Sequence, residues 1–227
     1  MTATPKVVTP MVKICGVTRV GDAERAVALG ADLIGLNFYP PSPRCLEVAA
    51  ARELSRAIGD RALKVGVFVD RPRREIAELD ARVGLDLIQL HGDEDPDEVD
   101  HWGGRALQVL RLPATRREPL PPETLAPWPR VWGFLFDVEH PAYGGSGVSW
   151  NYDTLAALGS SWGGPPGASG VPLLVAGGVA PGSARRALAA SGATGVDVCS
   201  GVESAPGIKD MDLMKQLFEE VGRGPRP

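Results

Sequence analysis

The chain has 227 residues, a net charge of −4 and a pI near 5.5. That balance argues against a nucleic-acid surface, and no apolar run reaches the roughly 20 residues that a bilayer span needs. The three cysteines, Cys15, Cys45 and Cys199, are odd in number and lack metal-ligand spacing, which points to free thiols in a reducing, cytoplasmic compartment and away from a structural zinc site.

Residues 1–10 (MTATPKVVTP) contain no apolar signal-peptide core and are expected to form a short flexible extension. The first element is MVKIC, an apolar strand that ends in Cys15 and is followed at once by Gly16. A cysteine in that place is either a packed thiol or a group positioned to act as nucleophile or base. Lys13 lies two residues back, on the same face of the strand. It is read first as a paired structural cation of the interior, and second as an aid to Cys15.

Seven more apolar, β-branched runs follow: DLIGLNF, KVGVFV, LIQLH, LQVL, VWGFLFD, PLLVAGG and GVDVCSG. Several are nearly continuous in apolar character, as expected of parallel strands buried on both faces. Helical periodicity fills much of the space between them. VGDAERAVALG sets Ala23, Val27 and Leu29 on one side and stops at Gly30; VAAARELSRAIG ends at Gly59. RPRREIAELDARVG and APGSARRALAASG each open with a proline in the first turn and end at Gly84 and Gly192, and MDLMKQLFEEV closes the chain. PATRREPLPPETLAPWPR, with Pro113, Pro119, Pro121, Pro122 and Pro127, cannot form a regular helix, so the fifth connection is expected to be irregular.

Eight strand–connection units without a mid-chain linker predict a single (βα)8 TIM barrel over residues 11–222, followed by a flexible tail, 223–227. An open doubly wound sheet is the structural alternative, and eight units disfavour it. Barrel chemistry sits at the C-terminal ends of the strands. There the chain places Cys15 after strand one, Arg44 in FYPPSPR after strand two, His91 after strand four, Asp137 after strand six, Gly177 and Gly178 after strand seven, and Asp197, Cys199, Ser200 and Gly201 after strand eight.

Glycines at two consecutive strand ends suit a phosphate, because backbone N–H groups can approach its oxygens. Alone, each is also an ordinary tight turn. Gly144, Gly145, Ser146 and Gly147 are a third glycine-rich loop near the ligand or a lid, within a segment from Val138 to Ser149. Cys15 and Asp137, on well-separated strands, suit a base and an acid facing each other across a substrate. Arg44, held by a proline-stiffened loop, suits a carboxylate. His91 is read as a substrate contact or a structural side chain. No metal-ligand spacing, GxSxG or strand-end lysine appears.

The stretches KICGVTR, GADLIGLNFYPPSPR, KVGVFVD, IQLHGDE, FD…YGGSG, VAGGVAP and GVDVCSGVESAPGIKD, taken together and in this order from Val12 to about Asp210, resemble phosphoribosylanthranilate isomerase. The resemblance implies a (βα)8 barrel and an Amadori rearrangement of N-(5-phosphoribosyl)anthranilate to 1-(2-carboxyphenylamino)-1-deoxyribulose 5-phosphate, in tryptophan biosynthesis. By that resemblance Asp137 is the general acid that opens the ribose ring and Cys15 the general base that removes the C2′ proton. Arg44 holds the anthranilate carboxylate, and Asp197 contacts the hydroxyls. The phosphate falls to Gly145, Ser146, Gly177, Gly178, Ser200 and Gly201. The partner is a small phosphoribosyl substrate; no cofactor, metal, nucleic acid or membrane is implied, and the protein is expected to be a monomer or homodimer. One departure is Cys199, where the motif usually carries serine. A histidine-pathway isomerase is the nearest rival, and Cys15, where that enzyme is expected to carry aspartate, speaks against it. A metal-dependent pentose-phosphate epimerase would need His and Asp ligands at strand ends, where His91 is the one candidate. A non-catalytic phosphate sensor would be marked by loss of the acid or base.

Overall fold

The computed structural model describes residues 9–128, 130–139, 150–161 and 170–224. Eight parallel strands close into a barrel in chain order: β1 (Met11–Ile14), β2 (Leu33–Asn37), β3 (Leu63–Phe68), β4 (Leu87–Leu90), β5 (Ala106–Leu112), β6 (Gly133–Val138), β7 (Leu173–Val175) and β8 (Gly195–Val198). Closure is made by β1 against β8, where Lys13 pairs with Asp197 and Ile14 with Val198.

Side chains alternate between the barrel lumen and the helical shell, as the two-residue period of a strand requires. Leu33, Val65, Leu87, Leu107, Val109, Leu135, Leu174 and Ala176 fill the lumen, with Met11 and Trp132 packed against them. The alternate positions, Ile14, Ile34, Leu36, Ile88, Leu90, Phe134, Phe136 and Val196 among them, join one larger core with the helices. Two residues further along the inward-facing rows the character changes to Lys13, Gly35, Gln89, Asp137 and Asp197. The apolar layer is therefore a floor, and the polar layer above it opens at the C-terminal ends of the strands.

The helices are α1 (Val20–Leu29), α2 (Val48–Ile58), α3 (Arg73–Val83), α4 (Pro96–Trp102), α5 (Ala156–Ser161), α6 (Ala184–Ser191) and α7 (Met211–Glu220). Gly30, Gly84 and Gly192 end α1, α3 and α6 in the left-handed conformation, whereas Gly59 ends α2 at φ 57°, ψ −136°. Two helix starts differ from the sequence expectation. Pro72 is the residue before α3, and Pro181 lies in the turn ahead of α6, which begins only at Ala184. Among its described residues the fifth connection holds one 3-10 turn, Pro122–Leu125, in keeping with its prolines.

After β8 comes a 3-10 turn (Ser200–Val202) and then an antiparallel hairpin, β9 (Glu203–Ala205) and β10 (Ile208–Lys209). Its Pro206-Gly207 tip has φ +79° at Gly207, and the Gly207 carbonyl accepts the Thr18 hydroxyl at 2.5 Å, pinning the hairpin to the loop after β1. Arg223, the first residue of the expected tail, donates to the carbonyls of Pro10 and Gly30 and pairs with Asp32 at 2.7 Å, tying both ends of the described chain to the barrel. Among the described residues no helix is long and apolar enough to cross a membrane.

Candidate active site

Cys15 lies buried at the end of β1 with its sulfur over Gly35 of the neighbouring strand. A β-carbon added to Gly35 would stand 2.8 Å from Cys15 Sγ and 3.2 Å from Lys13 Nζ, so glycine there leaves room for both groups. Lys13 is completely buried and donates to Asp197 Oδ1 at 2.8 Å. Burial alone would lower the Lys13 pKa, but the charges of Asp197 and Cys15 outweigh it and keep the ammonium protonated. Burial pushes the Asp197 carboxyl up to about 7, against the pull of Lys13. A hydrogen bond from the Cys199 thiol outweighs burial at Cys15, and the charges of Lys13 and Lys209 add to it. The Cys15 thiol is thereby held well below the usual range, while that same hydrogen bond, with burial, pushes Cys199 up.

A buried cluster of charge stands beside the two thiols. Arg44 reaches Glu203 bidentately, Nε to Oε1 at 2.9 Å and Nη2 to Oε2 at 2.6 Å. Lys209 donates to the same carboxylate at 2.8 Å and to the Cys199 carbonyl at 3.1 Å. Burial works against the Glu203 carboxylate, but the two cations outweigh it and hold its pKa below the usual value. Gly16, at φ +67°, lets Arg44 pass, since a β-carbon there would stand 2.5 Å from Arg44 Cδ.

On the far wall Asp137 ends the inward row of β6. Its Oδ1 accepts the Val138 amide at 2.8 Å, and its Oδ2 lies 3.5 Å from His91 Nε2. Gln89 Nε2 lies 3.1 Å from His91 Nδ1, which turns the Nε2 edge of the ring toward Asp137. His91 Nε2 and Gln89 Oε1 have no hydrogen-bond partner among the described residues. Two buried polar atoms are thus left for a ligand. The charges of Cys15 and, to a lesser extent, Asp137 add to the upward push on Asp197.

Gly177 and Gly178 have φ +75° and +69°, a pair of left-handed residues that only glycine adopts readily. The Trp150 indole donates to the Ala176 carbonyl at 3.0 Å and the Tyr152 hydroxyl to the Gly177 carbonyl at 2.6 Å. Those bonds fix the turn from behind. Gly201 packs so closely on the Val179 carbonyl and Ala180 that a side chain would clash, bringing the loops after β7 and β8 together. Among the described residues the backbone N–H groups of Gly177, Gly178, Ser200 and Gly201 have no hydrogen-bond partner. That combination suits an anion with several oxygens.

The fold thus gathers Cys15, Asp137, Arg44, His91, Asp197, Gly177, Gly178, Ser200 and Gly201 at one end of the barrel, as the sequence reading expects. Gly145 and Ser146 lie outside the described residues, as does most of the Val138–Ser149 segment. Lys13 pairs with Asp197, the structural role read first for it, and also faces Cys15. The sequence reading missed Glu203 and Lys209. The signal available for them is the Pro206-Gly207 turn, which folds the two residues back onto the mouth.

Residues 12–220 match the family described as N-(5'phosphoribosyl)anthranilate (PRA) isomerase. The chain is 41% identical over 204 residues to the N-(5'-phosphoribosyl)anthranilate isomerase of Myxococcus xanthus, spanning 90% of this chain and 92% of that one. It is similar to the solved phosphoribosyl anthranilate isomerase of Thermus thermophilus, with TM-score 0.78, 33% identity, and 93% and 98% of the two chains covered. It also matches a phosphoribosyl anthranilate isomerase solved in complex with reduced 1-(o-carboxyphenylamino)-1-deoxyribulose 5-phosphate, with TM-score 0.73, 26% identity, and 94% and 98% coverage. The chain belongs to the phosphoribosylanthranilate isomerase family.

Proposed function

We propose that this isomerase rearranges N-(5'-phosphoribosyl)anthranilate with Asp137 as general acid and Cys15 as general base. The observation that carries the assignment is the pairing of walls. A thiol whose surroundings favour its charged form lies at one side of a polar mouth, and a buried carboxyl lies at the other.

The phosphate fits the unpartnered amides of Gly177, Gly178, Ser200 and Gly201, with Gly145 and Ser146 proposed as further contacts. Arg44 is proposed to hold the anthranilate carboxylate; Glu203 takes its Nε and Nη2 and so fixes the guanidinium plane. Asp197 and His91 are proposed to contact the sugar hydroxyls. Asp137 gives a proton to the ring oxygen, the C1′–O bond breaks, and the open chain becomes a protonated imine. The Cys15 thiolate takes the C2′ proton, and its electron pair forms the C1′–C2′ double bond of an enolamine. Loss of the O2′ proton and gain of one at C1′ gives the ketone. Atoms balance within the substrate and the two side chains.

The test follows the anthranilate fluorescence of substrate generated in situ, in buffer containing EDTA. The wild type should turn it over, and Cys15→Ala and Asp137→Ala should each lower kcat by about 100- to 10,000-fold with unchanged circular dichroism. Near-normal turnover by either folded variant removes the assignment.

A further inference from the structure

Cys199 is a second sulfur that the rearrangement does not use. β1 and β8 run parallel and in register, Lys13 opposite Asp197 and Ile14 opposite Val198, and the Cys15 amide continues the ladder by donating to the Val198 carbonyl at 2.9 Å. Cys15 and Cys199 are the next residues of the two chains, directly beyond the last paired positions, and Cys199, at φ −115° and ψ −88°, is where the chain turns out of β8. Neighbouring strands lie about 4.8 Å apart, and disulfide-bonded residues have Cα atoms roughly 4.4–6.8 Å apart. Cys199 Sγ leans toward β1, 3.0 Å from where a Gly16 β-carbon would stand.

We propose that Cys15 and Cys199 form a peroxide-driven, reversible disulfide that closes the base off from its substrate. The Cys15 thiolate attacks a hydrogen peroxide oxygen, the O–O bond breaks, hydroxide leaves, and Cys15 becomes a sulfenic acid. Cys199 sulfur then attacks the Cys15 sulfur, the S–O bond breaks, and the departing hydroxide takes up the Cys199 proton as water. Two thiols and one peroxide give one disulfide and two waters. The site is arranged for the second step as well. While Cys15 is charged, its hydrogen bond to Cys199 and the burial of the pair keep the Cys199 thiol protonated. Oxidation of Cys15 removes its charge, leaving Lys209, whose Nζ is 4.0 Å from Cys199 Sγ, and Arg44 to favour the Cys199 thiolate, with Glu203 Oε1, also 4.0 Å away, placed to accept the thiol proton's hydrogen bond. Cys45, exposed on the loop after β2, is outside this pair.

The disulfide is read by mass and does not depend on the role assigned to Cys15; only the accompanying loss of turnover rests on that role. Reduced protein is treated with hydrogen peroxide, alkylated, and digested with trypsin without reductant. The proposal predicts a loss of about 2 Da, and a crosslink between the peptides Ile14–Arg19 and Ala187–Lys209. Turnover should fall at least ~10-fold and return with dithiothreitol. In Cys199→Ser the peroxide-treated Cys15 should pass to the sulfinic acid, so that dithiothreitol restores little of that variant's own starting turnover. Cys15 sulfinic acid without the crosslink in the wild type overturns the proposal, as does equal recovery in Cys199→Ser. A crosslink with full turnover upholds the disulfide and instead removes Cys15 as the base.

Discussion

Cys15 is flanked by charged groups, Lys13 on the preceding strand, Asp197 on β8, Lys209 on β10 and Arg44 on the loop after β2, and by the Cys199 thiol just beyond β8. The thiolate is the active form of a base, so activity should rise with pH as Cys15 loses its proton. Lys209 lowers that pKa, and its removal must move the rise to higher pH. Lys209→Met is expected to shift the acidic limb of kcat/KM upward, with about a three- to tenfold loss below the limb and recovery above it. A limb that stays in place in a folded variant would show that Lys209 acts only on Glu203. Arg44→Ala is expected to raise KM about 10-fold or more while sparing kcat by comparison; an unchanged KM removes its role as the carboxylate anchor.

At the scale of elements, the wall between β1 and β2 is set by Gly35. Its missing β-carbon is the space occupied by Cys15 Sγ and Lys13 Nζ. Gly35→Ala should cost about 1–3 kcal/mol in stability by overpacking and depress turnover, measured by denaturant unfolding and by the fluorescence assay. Turnover and stability both at wild-type levels would show that the wall can yield. The strands were legible in the sequence because each is buried on both faces and so reads as an unbroken apolar run. The irregular fifth connection was legible from its prolines. The short helices α4 and α5 were not singled out, although Asp95 caps Glu98 N at 2.9 Å ahead of α4. Seven and six residues give too few turns for a periodicity to stand out. The β9–β10 hairpin was also missed, because Glu203 and Lys209 gain their meaning from Arg44, 159 residues away from Glu203 in the chain.

At the scale of the whole molecule, barrel closure makes the site. Cys15 and Asp137 come from β1 and β6, and Asp197, which feels both, comes from the strand that completes the ring. Their positions at strand ends can be read from the sequence, but the charge around each depends on which strands become neighbours. Lys13 illustrates this: on its strand it is an odd cation in an apolar run, and only the β1–β8 seam gives it Asp197. The same seam brings Cys199 to Cys15. The most direct test is the pH dependence of iodoacetamide alkylation at Cys15, followed by mass on the reduced protein, with residual turnover measured on the same samples. The account predicts that Cys15 alkylation has its midpoint below the free-thiol value of about 8.5, and that turnover is lost at the same rate as Cys15 is modified. A midpoint at or above the free-thiol value, or full turnover after Cys15 is alkylated, would contradict it.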